Sequence, residues 1–224
     1  MKSRRFVIPD VHGCLQTLHK LIEDVIRLER MDTVYLLGDL IDRGPDSKGV
    51  IDYILTLREK GFRPVALRGN HEQMLIDACH DQNSYCTWKL NGGAATLESF
   101  DVNIPDKIPM KYRRFFESLP FYIELPEIIL VHASINCAAE DPFSDHDAML
   151  WRRSSPLDNS RLGGRKMISG HTPCSRSDII ESLSSEHITL DNGCVYTDRN
   201  GLGSLSVIEL GTMKVSFLEN CEHR

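Results

Sequence analysis

Three short polar blocks, each set at the end of an apolar run, constrain this chain more than any other feature. Phe6-Val7-Ile8 leads into Asp10-Val11-His12-Gly13, residues 33–37 lead into Gly38-Asp39-Leu40-Ile41-Asp42-Arg43-Gly44, and residues 62–67 lead into Arg68-Gly69-Asn70-His71-Glu72. Short apolar runs bounded by turn residues read as buried strands. The blocks recur about every 30 residues, the length of one strand–helix–strand unit. Three strand ends can therefore carry Asp, His and Asn side chains to one edge of one sheet. That is the edge at which open α/β sheets bind ligands.

Periodicity fills in the rest. Strands are expected at 4–9, 33–37 and 62–67, alternating with helices at 15–28, 47–58 and 72–79, which predicts a parallel sheet under covering helices. Residues 80–120 read as a mostly helical insert capping the cleft, with one helix at 107–118. Short strand candidates follow at 121–125, 128–131, 166–169, 178–181, 187–190, 194–196, 202–209 and 213–218, separated by turns such as Asp191-Asn192-Gly193 and Asn200-Gly201. With no repeat, low-complexity tract or linker, residues 1–224 are expected to form a single domain. Its two halves are expected to give two sheets packed face to face with helices outside.

Composition narrows the functional classes. A net charge of −6 disfavours a stable nucleic-acid partner. No stretch approaches the ~20 apolar residues that cross a bilayer, and the run after the basic start is too short for a signal peptide. No membrane partner and a cytoplasmic location are therefore expected. The seven cysteines, odd in number and without CxxC spacing, are expected to be free thiols.

The polar blocks offer carboxylate, imidazole and amide oxygen. These suit Mn, Fe or Zn rather than copper or iron–sulfur chemistry, which take thiolates. A carboxylate shared by two such ions holds them ~3.5–4 Å apart, and Asp39, on the middle strand of three, is the natural bridge. His132 follows the apolar run 128–131, and His171 follows Met167-Ile168-Ser169-Gly170. Alone, each would be a packing residue; beside an incomplete second ion site, each becomes a ligand candidate. Glu72 reads as a first-turn helix carboxylate, and Asp191 as either a turn residue or a neighbour of the metals. Trp88 and Tyr112 read as packing residues with base stacking as the alternative. His19, His80, His146, His187 and His223 are expected at the surface or in packing.

Together these motifs resemble the phosphoprotein phosphatase family of metallophosphoesterases. Within it they resemble the compact bacterial and phage Ser/Thr/Tyr protein phosphatases and their diadenosine tetraphosphatase relatives. The resemblance covers nearly the whole chain. It implies an α/β, calcineurin-like metallophosphoesterase fold: two mixed β-sheets packed face to face and flanked by helices, layered α/β/β/α. It implies two divalent ions, Mn2+ first with Fe or Zn as alternatives, one on Asp10, His12 and Asp39 and the other on Asp39, Asn70, His132 and His171. It further implies an Asp42–His71 pair beside the metals, with His71 as general acid, and phosphate-binding arginines at Arg43, Arg68 and Arg153. Arg153 is preferred to Arg152 in the element Trp151-Arg152-Arg153. Pro9 departs from the family, which has Gly there; proline fixes φ and lacks an N–H, so an altered loop with retained metal is expected.

The implied activity is that of a metal-dependent phosphomonoesterase acting on phosphoproteins, most closely a serine/threonine protein phosphatase, with water attacking phosphorus directly. Hydrolysis of diadenosine tetraphosphate or another nucleotide anhydride is the alternative, and a non-catalytic metal-bound binding module is the reading from another class. Asp42 is expected to raise the pKa of His71 and keep it protonated near neutrality.

Overall fold

The protein is described from a computed structural model covering residues 3–153 and 157–222; His223 lies outside the described residues. In β1 (Arg5–Ile8), alternation sends Phe6 and Ile8 to one face and Val7 to the other. Strand β2 (Thr33–Leu36) pairs with it in parallel, Phe6 opposite Val34 and Val7 opposite Tyr35, so both strands sort their side chains alike. On the far side of β2 lies β3 (Arg63–Ala66), also parallel. Pro64 lends no N–H to a further neighbour, which suits β3 to its place at the sheet edge. The outer face carries α1 (Leu15–Lys20), which continues as a π-helical stretch at Leu21–Val25, together with α2 (Ser47–Glu59) and α3 (Asn70–Ala78). Their Leu18, Leu21, Val50, Ile51, Ile54 and Leu75 are buried in one cluster with Phe6, Ile8, Val34 and Leu36.

The second sheet holds β4 (Tyr122–Glu124), β5 (Ile128–Val131), β6 (Lys166–Ser169) and β7 (His187–Thr189) in the order β4-β5-β6-β7. Strand β4 is antiparallel to β5, and β5, β6 and β7 run parallel. Ile128, Leu130, Ile168 and Ile188 meet Val7, Tyr35 and Leu37 between the sheets. On the outer face, Ile129, Val131 and Met167 pack with Met149 of α7 (His146–Trp151). The layering is α/β/β/α.

Three expectations are corrected. The halves of the chain do not form one sheet each: β8 (Ser204–Glu209) returns antiparallel to β1 and is followed by β9 (Lys214–Glu219), giving the order β3-β2-β1-β8-β9. Leu205 and Val207 of β8 join the helix-side cluster while Ile208 joins the inter-sheet one, and a strand buried on both faces needs an interior place. Residues 178–181 are not a strand but part of α8 (Arg176–Ser182), started by a capping box in which Ser175 and Asp178 bond each other's backbone N–H. Residues 194–196 form a turn closed by Tyr196 N–H to Gly193 O at 2.8 Å.

Between the sheets' two halves of chain, α4 (Gln82–Trp88), α5 (Ala94–Ser99) and α6 (Met110–Glu117) form the helical segment. The turn between α4 and α5 passes through Gly92 at φ 113°. Among the described residues no helix is long and apolar enough to cross a membrane.

Candidate metal centre and active site

The loops after β1 and β2 are bolted together by backbone. Val11 N–H and His12 N–H both donate to Asp39 O, at 3.0 and 2.8 Å, so the turn carrying Asp10 and His12 is held without any donor from Pro9. Glu72, in the first turn of α3, gathers three more amides: those of Asp39 (2.9 Å), Leu40 (2.7 Å) and Gly69 (2.8 Å). Its carboxyl is fully buried, and burial pushes it up to about 7.

Two histidines are locked in one tautomer by carbonyls. His12 Nδ1 lies 2.9 Å from Ile41 O and His132 Nδ1 lies 3.0 Å from Leu37 O. A carbonyl only accepts, so each Nδ1 holds the proton and each Nε2 turns a lone pair inward, as metal-binding histidines do. His132 Nε2 then stands 2.9 Å from Asn70 Oδ1, 3.0 Å from His171 Nδ1 and 3.5 Å from Asp39 Oδ1. On the other side, Asp39 Oδ2 is 3.6 Å from His12 Nε2 and 3.9 Å from His71 Nε2. Among the described residues, Asp39 is thus the one carboxylate common to a His12–His71 group and a His132–His171 group.

Asp10 Oδ1 accepts from His171 N–H at 3.0 Å and lies 3.9 Å from His132 Nδ1, which puts Asp10 against the same cluster, while His12, Asp39 and His71 form the compact group beside it. Burial first, then Asp191 and Asp39, push the Asp10 carboxyl well above its ordinary value; burial and Glu72 do the same to Asp39. Arg43 offsets part of this in both carboxyls, and a cation held between them would favour their charged forms further. Burial likewise holds His12 and His132 well below the usual imidazole range, and burial with Arg153 pushes His171 down to about 4. The guanidinium of Arg43 donates to the inward lone pair of His12 Nε2. Neutral imidazoles, an amide oxygen and buried carboxylates, with no thiolate among them, are a fitting donor set for divalent cations.

Beside this cluster, Asp42 Oδ2 lies 2.6 Å from His71 Nδ1. Two residues of the helical segment reach the same carboxylate: Trp88 Nε1–H donates to Oδ2 at 2.8 Å and Thr96 Oγ1–H to Oδ1 at 2.6 Å. Burial pushes Asp42 up to about 7. His71 is not raised, as the sequence reading expected, but held well below its ordinary value by burial and then by Arg43 and His171.

The three arginines separate. Arg43 is at the centre, with its guanidinium 5.7 Å over the Tyr196 ring, and opens onto a cleft of about 730 Å³ bounded by Pro45, Ala95, Glu98 and Thr197. Arg153 is exposed and its charge acts on His171, whereas that of Arg152 acts on Asp145. Arg68 donates to Gln73 Oε1 (2.9 Å) and Glu117 O (2.6 Å) and covers Phe121, facing α6 instead. Trp88 and Tyr112 are closed to base stacking: both are buried, and the Tyr112 hydroxyl donates to Asp52 Oδ1 at 2.7 Å. Asp191 is buried and accepts from Gly193 N–H at 2.7 Å, which is the turn role, and its charge raises the Asp10 carboxyl.

Fold and site together define a metallophosphoesterase-type centre. The chain belongs to the calcineurin-like phosphoesterase family, whose model matches residues 3–200. It is 42% identical over 88 residues to serine/threonine-protein phosphatase 1 of Salmonella typhimurium, a match covering 39% of this chain and 38% of that protein. It is 30% identical over 130 residues to the symmetrical bis(5'-nucleosyl)-tetraphosphatase of Pseudomonas entomophila, covering 58% and 42% of the two chains. These matches thus span about two fifths of the relatives' own length. In fold, a protein serine/threonine phosphatase from Saccharomyces cerevisiae superposes with a TM-score of 0.71 at 18% identity, covering 99% of this chain and 81% of that one.

Proposed function

We propose that this chain is a phosphomonoesterase dependent on two divalent metals, with phosphoserine and phosphothreonine in proteins as its leading substrates. The observation that carries the reading is the convergence of Asp39 Oδ1, Asn70 Oδ1, His132 Nε2 and His171 Nδ1, with Asp39 Oδ2 turned to a second histidine group. Asp10, His12 and Asp39 would hold one ion, and Asp39, Asn70, His132 and His171 the other, Mn2+ being the first choice over Fe or Zn. When bound, the pair would supply Lewis acidity and an activated water at neutral pH. Arg43 and Arg153 orient the phosphate oxygens by charge-assisted hydrogen bonds, and Arg68 joins them once it leaves Gln73. His71, held neutral by burial and Arg43, takes up a proton at Nε2 as the phosphate dianion enters beside it and passes that proton to the leaving oxygen, while Asp42 at Nδ1 stabilises the imidazolium in between. We keep residues 1–224 as a single domain with the mostly helical insert 80–120 as its cap, and the cytoplasmic location expected from the sequence.

The second reading, cleavage of a nucleotide anhydride, is favoured by the longer match to the tetraphosphatase. Phosphate release with Mn2+ separates the two, comparing kcat/KM for a phosphoserine peptide and for diadenosine tetraphosphate. Preference for the peptide is expected, and preference for the dinucleotide would replace the leading reading. His71→Asn is expected to lower kcat on the peptide by about 10²–10⁴. Unchanged kcat would remove His71 from the chemistry.

A further inference from the structure

We propose that Trp88 and Thr96 are positioning residues that act through Asp42 to hold the His71 imidazole with Nε2 toward the metal centre. The proposal rests on the phosphoesterase reading above and assigns the helical segment a part in it besides covering the cleft.

The carboxylate of Asp42 is fully buried, so water does not complete its hydrogen bonds. Oδ2 receives His71 Nδ1 and Trp88 Nε1, and Oδ1 receives Thr96 Oγ1. A carboxylate held at both oxygens cannot turn about its Cβ–Cγ bond, and its plane sets the plane of the imidazole bonded to it. The donors around it are themselves directed. With its one hydrogen given to Asp42, Thr96 Oγ1 accepts from Asp42 N–H at 3.0 Å and from Ser47 Oγ–H at 2.9 Å. Trp88 has no exposed surface, and a Cβ on Gly93 would lie 2.4 Å from its ring, so a glycine is what admits the indole here. The same strap reaches the next residue, Arg43 N–H donating to Gly92 O at 3.2 Å. Asp42 and Arg43 stand at φ 72° and 68°, a left-handed conformation that persists only where neighbours over-determine it. The links from α4 and α5 do so.

Trp88→Phe removes the N–H and keeps a ring; Thr96→Val removes the hydroxyl and keeps the shape. Positioning of a proton donor is read by leaving-group dependence. A serine alkoxide needs the proton, whereas p-nitrophenolate leaves with little help. With Mn2+, each variant is expected to lose about 10–100-fold in kcat on a phosphoserine peptide and under about 3-fold on p-nitrophenyl phosphate. Thr96→Ser is expected to restore the peptide rate, and the threonine series carries the test by itself if Trp88→Phe fails to fold. Equal losses on both substrates, or none on either, would overturn the positioning role while leaving the phosphoesterase reading intact. A wild-type protein inactive on both substrates would overturn that reading and the proposal with it.

Discussion

Strain in this chain is concentrated at the residues that face the centre. Among the described residues, His12, Asp39, Asp42, Arg43 and His171 hold positive φ, as do Arg27, Asp101 and Met213 elsewhere. Non-glycine residues pay about 1–2 kcal/mol for that conformation, and here the cost falls mostly on residues in or beside the centre. Charge is concentrated there as well. Burial pushes the Asp191 carboxyl up to about 6, above its unfolded value. A raised carboxyl supports folding while protonated and loses that contribution as pH rises through its folded pKa. In metal-free protein, Asp191→Asn should therefore be the more stable form at pH 8, by roughly 1–3 kcal/mol. The advantage should fade as pH falls through 6 towards 4. Thermal melts in chelator across that range check it; a variant less stable than its parent at pH 8 would mean that the charge is already compensated.

At the scale of elements, α3 works as an anchor for two loops. Its Glu72 ties the amides of Asp39 and Leu40, which follow β2, to that of Gly69, which follows β3. Gly69 is required at this junction, since a Cβ there would come within 2.2 Å of Asp39 Oδ1. Glu72→Ala strands three buried donors and is expected to cost about 3–5 kcal/mol in urea unfolding, with Glu72→Gln in between. A cost under about 1 kcal/mol would show that the loops are held by other means. The place of Glu72 in the first turn of a helix was readable from its position after Gly69-Asn70-His71; its reach across to Asp39 was not. Trp88 and Thr96 carried no local signal at all, because they meet Asp42 across 46 and 54 residues of chain.

For the molecule as a whole, the entry into β1 is fastened by one buried acid. Asp32 accepts from Arg4 N (2.9 Å), Arg4 Nε (3.1 Å), Arg4 Nη2 (2.6 Å) and Glu29 N (3.0 Å). Burial pushes its carboxyl up, but the hydrogen bonds from Arg4 and Glu29 outweigh burial and leave it below the ordinary value. Stability from a depressed carboxyl is present above the unfolded pKa and is lost as pH falls through the folded one. Asp32→Asn should cost roughly 1–3 kcal/mol at pH 7, with the gap from the parent closing below about pH 4. A gap independent of pH would assign the effect to packing. The sequence by itself determined the strand-end blocks, the ligand types and the β-α-β rhythm, because side-chain period, turn chemistry and donor identity are local properties. It also placed His132 and His171 at strand ends, since an apolar run and its terminating histidine are contiguous. Only the tertiary structure decided that β8 closes against β1, that Arg68 faces α6, and that burial lowers His71 instead of Asp42 raising it. Those outcomes depend on which surfaces lose water and which distant donors meet, and neither exists until the chain has closed on itself.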